Sequence, residues 1–187
     1  MEYTINIKGR LMDLSTPQVM GILNVTPDSF YSGSRKQTEE EIANRANQII
    51  AEGGSIIDVG AFSTRPGADE VSEEEEGRRL KFALDIVRRE QPDAAISVDT
   101  YRPTLARKCI EEWGADIIND VSEGGITGIA NVPLHQQEAE YPEMFRVVGE
   151  LKVPYILMSV QPTLAAMMKG FAREVQQLRD LGAKDII

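Results

Sequence analysis

Gly53-Gly54-Ser55-Ile56-Ile57-Asp58-Val59, Gly114-Ala115-Asp116-Ile117-Ile118-Asn119-Asp120 and Gly182-Ala183-Lys184-Asp185-Ile186-Ile187 are three versions of one phrase. In each, a glycine closes a helical pattern, as a left-handed C-terminal cap does. A short β-branched run follows, of the kind that fills a strand buried on both faces. The phrase is the helix-to-strand joint of a repeating βα unit. Working outward, helical spacing runs through 38–52 (Ile42, Ala46, Ile49, Ile50), from Ser72 (Leu80, Leu84, Val87), from Pro103 (Leu105, Ile110, Trp113) and from Thr163 (Leu164, Met167, Met168, Phe171, Val175, Leu178, Leu181). The last series reads as a core-facing stripe. Start signals agree with these helices: Ser72 with Glu75 is a capping-box pattern, the glutamates 73–76 suit the positive end of a helix dipole, and Pro103 suits a first turn.

Strands alternate with the helices at 19–23, 56–59, 95–98, 117–118 and 155–158, and another starts at Asp185. Ahead of them, 3–8 and 10–12 flank Gly9 and predict a β-hairpin, a lid over the bottom of a barrel. Alternating βα units without strand doublets predict a parallel sheet closed or wound by right-handed crossovers; the closed form is an α/β barrel of the TIM type. About five units and the start of a sixth are present, whereas a closed barrel takes about 250 residues. The expectation is therefore a single domain, 1–187, that stops after the start of strand six. The segment 124–140 shows no period and reads as an inserted loop.

Composition narrows the functions. The 187 residues are 42% hydrophobic and 27% charged, with net charge −10 and one cysteine. That is a globular composition without a disulfide framework. A chain this acidic lacks the clustered Lys and Arg that nucleic-acid or anionic membrane surfaces require, and no apolar run is long enough to span a bilayer. A small-molecule partner and a cytoplasmic location are expected. Cys109 reads as a helix packing residue whose basic neighbours could lower its pKa, and His135 as a solvated loop residue.

In α/β barrels the working side chains sit at the C-terminal ends of strands. Here those ends are Asn24, Asp58, Asp99-Thr100, Asn119-Asp120 and Met158-Ser159, so nearly every strand delivers a polar group to one rim. A single Asp or Asn there can be no more than a cap or an Asx turn, but a whole rim of them points to a site. A buried carboxylate can accept two parallel hydrogen bonds from a donor-donor edge such as that of a pterin or guanine, and a neighbouring Asn adds a donor and an acceptor; Asp99 and Asn119 could form that pair. Asn24 offers an oxygen to a hard cation, and Arg65 offers a planar fork to phosphate.

Met20-Gly21-Ile22-Leu23-Asn24-Val25-Thr26-Pro27-Asp28-Ser29-Phe30, Asp58-Val59-Gly60, Ser63-Thr64-Arg65-Pro66-Gly67, Ser97-Val98-Asp99-Thr100 and Ile117-Ile118-Asn119-Asp120 together resemble dihydropteroate synthase. The resemblance runs in order along the whole chain. It implies a (β/α)8 barrel that joins 6-hydroxymethyl-7,8-dihydropterin pyrophosphate to p-aminobenzoate in folate biosynthesis, releases pyrophosphate, and is the target of sulfonamides. It further implies that Asn24 holds Mg2+ with the pyrophosphate, that Arg65 lies near the phosphates, and that Asp99 and Asn119 grip the pterin edge with Met158 on its ring. Phe30, Thr64 and Pro66 would shape the aminobenzoate pocket. Catalytic roles fall to Asn24, Arg65 and Asp99. Two other readings stand beside it: a non-catalytic pterin-binding fragment and a methyltetrahydrofolate-dependent methyltransferase domain.

The chain also departs from that family. Ser159 stands where a His is frequent, Ser32 where an Asp is usual, and Ala61-Phe62 replace a Gly-Glu pair. The Asp-Pro-Gly-Phe-Gly motif after strand six, a Lys after strand seven and an Arg and His at strand eight have no counterpart. The resemblance thus implies a C-terminally incomplete barrel, weak or absent turnover by this chain alone, and a homodimer for the full-length protein.

Overall fold

The computed structural model describes residues 3–25, 35–62, 71–125 and 141–187. Strands β1 (Thr4–Ile7) and β2 (Arg10–Asp13) form an antiparallel hairpin. Five further strands, β3 (Met20–Asn24), β4 (Ile56–Gly60), β5 (Ala95–Asp99), β6 (Ile117–Asp120) and β7 (Tyr155–Leu157), pair in parallel and in sequential order. Helices α1 (Arg35–Ala51), α2 (Glu73–Glu90), α3 (Pro103–Glu111) and α4 (Glu143–Leu151) each precede the next strand, and α5 (Leu164–Asp180) follows β7. Sequential parallel pairing through helical crossovers is the winding of a TIM-type barrel wall. Tyr155 also forms a parallel bridge with Ile186, where the sequence predicts the sixth strand.

The joint phrase behaves as its chemistry requires. Gly53, Gly114 and Gly182 have φ of 96°, 82° and 98°, the left-handed region that a side chain resists. The same reason explains a helix that the sequence reading leaves out. Before β7 the joint carries Lys152, itself left-handed at φ 55°, in place of glycine. Without the glycine signal, Met144, Phe145, Val147 and Val148 of α4 do not stand out, although all four are buried. Of the inserted segment, only Gly124 and Gly125 fall among the described residues, in a short 3-10 turn; His135 lies outside them.

Start signals hold at two helices: Ser72 and Thr163 accept from the amides of Glu75 and Ala166. Pro103 is the first residue of α3, which ends at Glu111, so Trp113 lies beyond the helix. The stripe on α5 is only partly core-facing. Leu178 is fully buried, but Leu164 and Met168, in the first turns of α5, are 72% and 62% exposed. Glu76 does not share the solvated character of its three acidic neighbours; it is fully buried and accepts from Thr100 Oγ1 at 2.7 Å. Cys109 is buried too, and burial, with a smaller push from Glu76, drives its thiol well above the ordinary range rather than below it.

Strand side chains alternate between two faces. Leu23, Val59, Val98, Ile118 and Tyr155 face the helices and join Leu80, Leu84, Leu105 and Val148 in the main core. On the inner face, Ile56, Ala95 and Ile117 at the N-terminal ends are covered by Ile5 and Ile7 of the hairpin, which closes the bottom as predicted. Asp116 fastens this closure: it pairs with Lys8 and Arg88, both at 2.8 Å, and accepts from the Ile96 amide at 2.9 Å. No described helix is long and apolar enough to cross a membrane.

Candidate functional site

Parallel register decides which rim residues meet. Asn24 pairs with Gly60, Gly60 with Asp99, Asp99 with Asn119, and Asn119 with Ile156. Same-register partners in a parallel sheet point to the same side. Three of the predicted residues, Asn24, Asp99 and Asn119, therefore form one row across the inner face near the C-terminal mouth. The absent side chain of Gly60 makes room for its neighbours: a Cβ there would lie 2.9 Å from Asn24 Oδ1 and 3.5 Å from Asp99 Oδ2. Both polar side chains thus lean into the space above Gly60.

One row lower on the same face come Ile22, Asp58, Ser97 and Ile117. Asp58 is 4% exposed, and its Oδ2 accepts from Asn119 Nδ2 at 3.1 Å. Sequence reasoning marks Asp58 as a strand end but assigns it no task. Its link to Asn119 depends on register, and local spacing carries no register between β4 and β6.

The rim is not uniform. Asp120 sits on the helix side and is consumed by structure: it accepts from the Tyr155 hydroxyl at 2.7 Å, from the Ser122 amide and hydroxyl at 2.7 and 2.6 Å, and from the Gly124 amide at 2.9 Å. Thr100 likewise turns to Glu76. Arg102 pairs with Glu76 at 2.8 Å and donates to the Val71 carbonyl at 2.6 Å, which ties the chain after β5 to the start of α2. Ser159, in the position where a His is frequent, donates to the buried Glu123 at 2.9 Å. Phe62 and Tyr101, just past β4 and β5, stack edge to face at 5.0 Å. Met158 follows β7 on the rim, 39% exposed. Phe30, Thr64, Arg65 and Pro66 lie outside the described residues.

Crowded carboxylates shape the electrostatics. Burial raises the pKa of Asp99 to about 7, and the charges of Asp58, Asp120 and Glu76 add to the push. Burial also raises Asp58, opposed by hydrogen bonds from Ser97 and Asn119. No described lysine or arginine pairs with either group, so the interior favours a ligand that brings hydrogen-bond donors or positive charge. Among the described residues no set of three acidic, His or Cys side chains gathers as a metal cage. Asn24 is a lone neutral oxygen donor, which suits only a cation that takes its remaining ligands from water and phosphate.

The sequence pattern of the family described as "Pterin binding enzyme" matches residues 20–182. The chain belongs to the pterin binding enzyme family. Among its relatives in that family, the dihydropteroate synthase of Streptococcus pyogenes serotype M18 is 39% identical over 153 residues, 82% of this chain and 52% of that protein. The mitochondrial folate synthesis bifunctional protein of Arabidopsis thaliana is 40% identical over 164 residues, 86% of this chain and 27% of that protein. The solved Xanthomonas albilineans dihydropteroate synthase with 4-aminobenzoic acid superposes with TM-score 0.78 and 30% identity over 98% of this chain and 64% of its own. This member of the family therefore spans about half to two thirds of the synthases it matches. The agreement with a solved synthase confirms the TIM-type course of the wall that the resemblance implies.

Proposed function

We propose that the row Asn24, Gly60, Asp99 and Asn119 is the pterin-binding part of a dihydropteroate synthase centre, which joins 6-hydroxymethyl-7,8-dihydropterin pyrophosphate to p-aminobenzoate and releases pyrophosphate. The single observation that carries the proposal is that register sets a partly buried carboxylate and an amide side by side on the inner face, next to a Gly60 that adds no side chain of its own. An Asp99 carboxylate accepts from ring N–H and amino donors, and Asn119 fixes the ring in its plane. Met158, at the rim, would pack on the ring, while Phe30, Thr64 and Pro66 would form the aminobenzoate pocket and Arg65 would face the phosphates.

In the reaction the C–O bond to pyrophosphate breaks, the methylene carbon becomes electron-poor, and the neutral arylamine attacks it and then loses a proton. Asp99, with Asp58 beneath it, holds negative potential under a ring that is gaining positive charge, which lowers the energy of the dissociating state. No nucleophilic side chain and no strong base are required. Asn24 Oδ1 fits a Mg2+ ion that keeps water and phosphate oxygens as its other ligands, and when bound that ion would offset the charge gathering on the departing pyrophosphate. A cytoplasmic location, sulfonamide sensitivity and a homodimeric full-length protein belong to the same proposal.

The test is calorimetric titration with 6-hydroxymethylpterin, followed by a synthesis assay with the pterin pyrophosphate, Mg2+ and p-aminobenzoate. Binding with dihydropteroate formation, however slow, supports the synthase. Binding without any turnover restricts this chain to holding the pterin, and an absence of binding overturns the site.

A further inference from the structure

In the reaction as proposed, Asp58 adds negative potential from beneath the ring but touches no substrate atom. It lies one row beneath the pterin row, buried between Ile22 and Ser97 of the neighbouring strands. Its Oδ2 accepts from Asn119 Nδ2 at 3.1 Å. Its Oδ1 has no partner of good geometry, although the nearby Ser97 hydroxyl eases the charge. An Asn side chain can be turned over with almost no change of shape, exchanging donor for acceptor, and many surroundings leave that choice open. Here the choice is closed. A turned-over Asn119 would set Oδ1 against a carboxylate oxygen at about the same distance, two acceptors facing each other away from water.

We propose that Asp58 is a positioning residue that holds the Asn119 amide with its nitrogen down toward the barrel interior and its oxygen up toward the mouth, and so sets the ligand specificity of the site. The inference rests on the pterin reading above. The amide is planar, so engaging Nδ2 below directs Oδ1 away from Asp58, into the row that Asn119 shares with Asp99. The pocket then offers an unbroken run of acceptors, Asn119 Oδ1 beside the Asp99 carboxylate. Such a run selects a ring edge made of donors, the 2-amino lactam of a pterin, and rejects an edge where a carbonyl replaces the amino group.

The experiment compares binding of 6-hydroxymethylpterin and 6-hydroxymethyllumazine, which carries oxygen in place of the 2-amino group, to the unaltered chain and to Asp58→Asn. An Asn at position 58 has the same shape but can donate, so Asn119 is free to turn over. The unaltered chain is expected to prefer the pterin by at least about 100-fold, and Asp58→Asn to lower that preference at least about tenfold. A role limited to stability would weaken both ligands alike and leave the ratio unchanged, which overturns the proposal. Failure of the unaltered chain to bind either ligand overturns the pterin reading itself, a distinct result. Should Asp58→Asn not fold, 15N NMR of the unaltered chain decides: an Asn119 side-chain amide protected from hydrogen exchange supports the lock, and free exchange of both its hydrogens sinks it.

Discussion

The two ends of the same inner face have opposite chemistry. At the N-terminal end Ile56, Ala95 and Ile117 are sealed by Ile5 and Ile7, and the neighbouring Asp116 is paired with Lys8 and Arg88 outside that apolar plug. Two to four residues further along the sheet, toward its C-terminal end, Asp58, Asp99, Asn119 and Asn24 crowd together without a described cation. The bottom gains free energy by removing apolar surface from water, whereas the mouth spends some by holding carboxylates away from it. Stability and binding are thus separated along the strand axis rather than between strands.

The sharpest way to break this contrast is at the mouth. Asp99→Ala is expected to weaken 6-hydroxymethylpterin binding by about 2 to 4 kcal/mol in calorimetry, because a charged two-point contact is lost. Its melting temperature should stay level or rise, since a partly buried carboxylate crowded by other acidic groups disappears. A variant that loses stability and keeps affinity would reverse the assignment of the two ends. At the bottom the converse holds. Ile5→Ala should cost about 2 to 3 kcal/mol of unfolding free energy in denaturant titration, with pterin affinity changed by less than about twofold.

Asp99 also makes the mouth sensitive to pH. With its pKa raised to about 7 from the ordinary 3.8, the folded chain binds this proton more tightly than the unfolded chain does. Stability from this group is therefore present below about pH 4 and is lost as pH rises to about 7. Asp99→Asn should flatten that slope in melts recorded across this window. Pterin donors need the ionised carboxylate, so affinity should run the other way, rising up to about tenfold per unit toward pH 7 and then levelling; affinity flat from pH 5 to 8 would refute the link. The smallest effect is expected at Gly60→Ala. The new methyl at 2.9 Å from Asn24 Oδ1 can be relieved by turning that flexible side chain aside. Stability should shift by less than about 1 kcal/mol, while any Mg2+-dependent turnover should fall several-fold.

Much of this was legible from residue order. Gly53, Gly114 and Gly182 announced the joints because only glycine adopts their backbone at little cost, and the β-branched runs after them announced strands. Asn24, Asp99 and Asn119 stood at strand ends, where barrel chemistry gathers. Helix α4 escaped because Lys152 does a glycine's task. Two members of the α5 stripe misled because spacing reports which face is apolar and not whether anything covers it, as exposed Leu164 and Met168 show. Asp120 looked equivalent to Asp99, yet it belongs to a turn network with Tyr155 on the far side of the sheet.

The sequence by itself determined the repeating unit, its joints and the polar character of one rim, since those follow from backbone preference and side-chain period within a few residues. Only the tertiary structure decided that Asn24, Gly60, Asp99 and Asn119 share one row, that Asp58 grips Asn119, and that Asp120 is excluded from the site. Those facts depend on strand register and on which face each residue presents. Both are fixed by the packing of helices and hairpin against the whole sheet, which no local stretch of sequence carries.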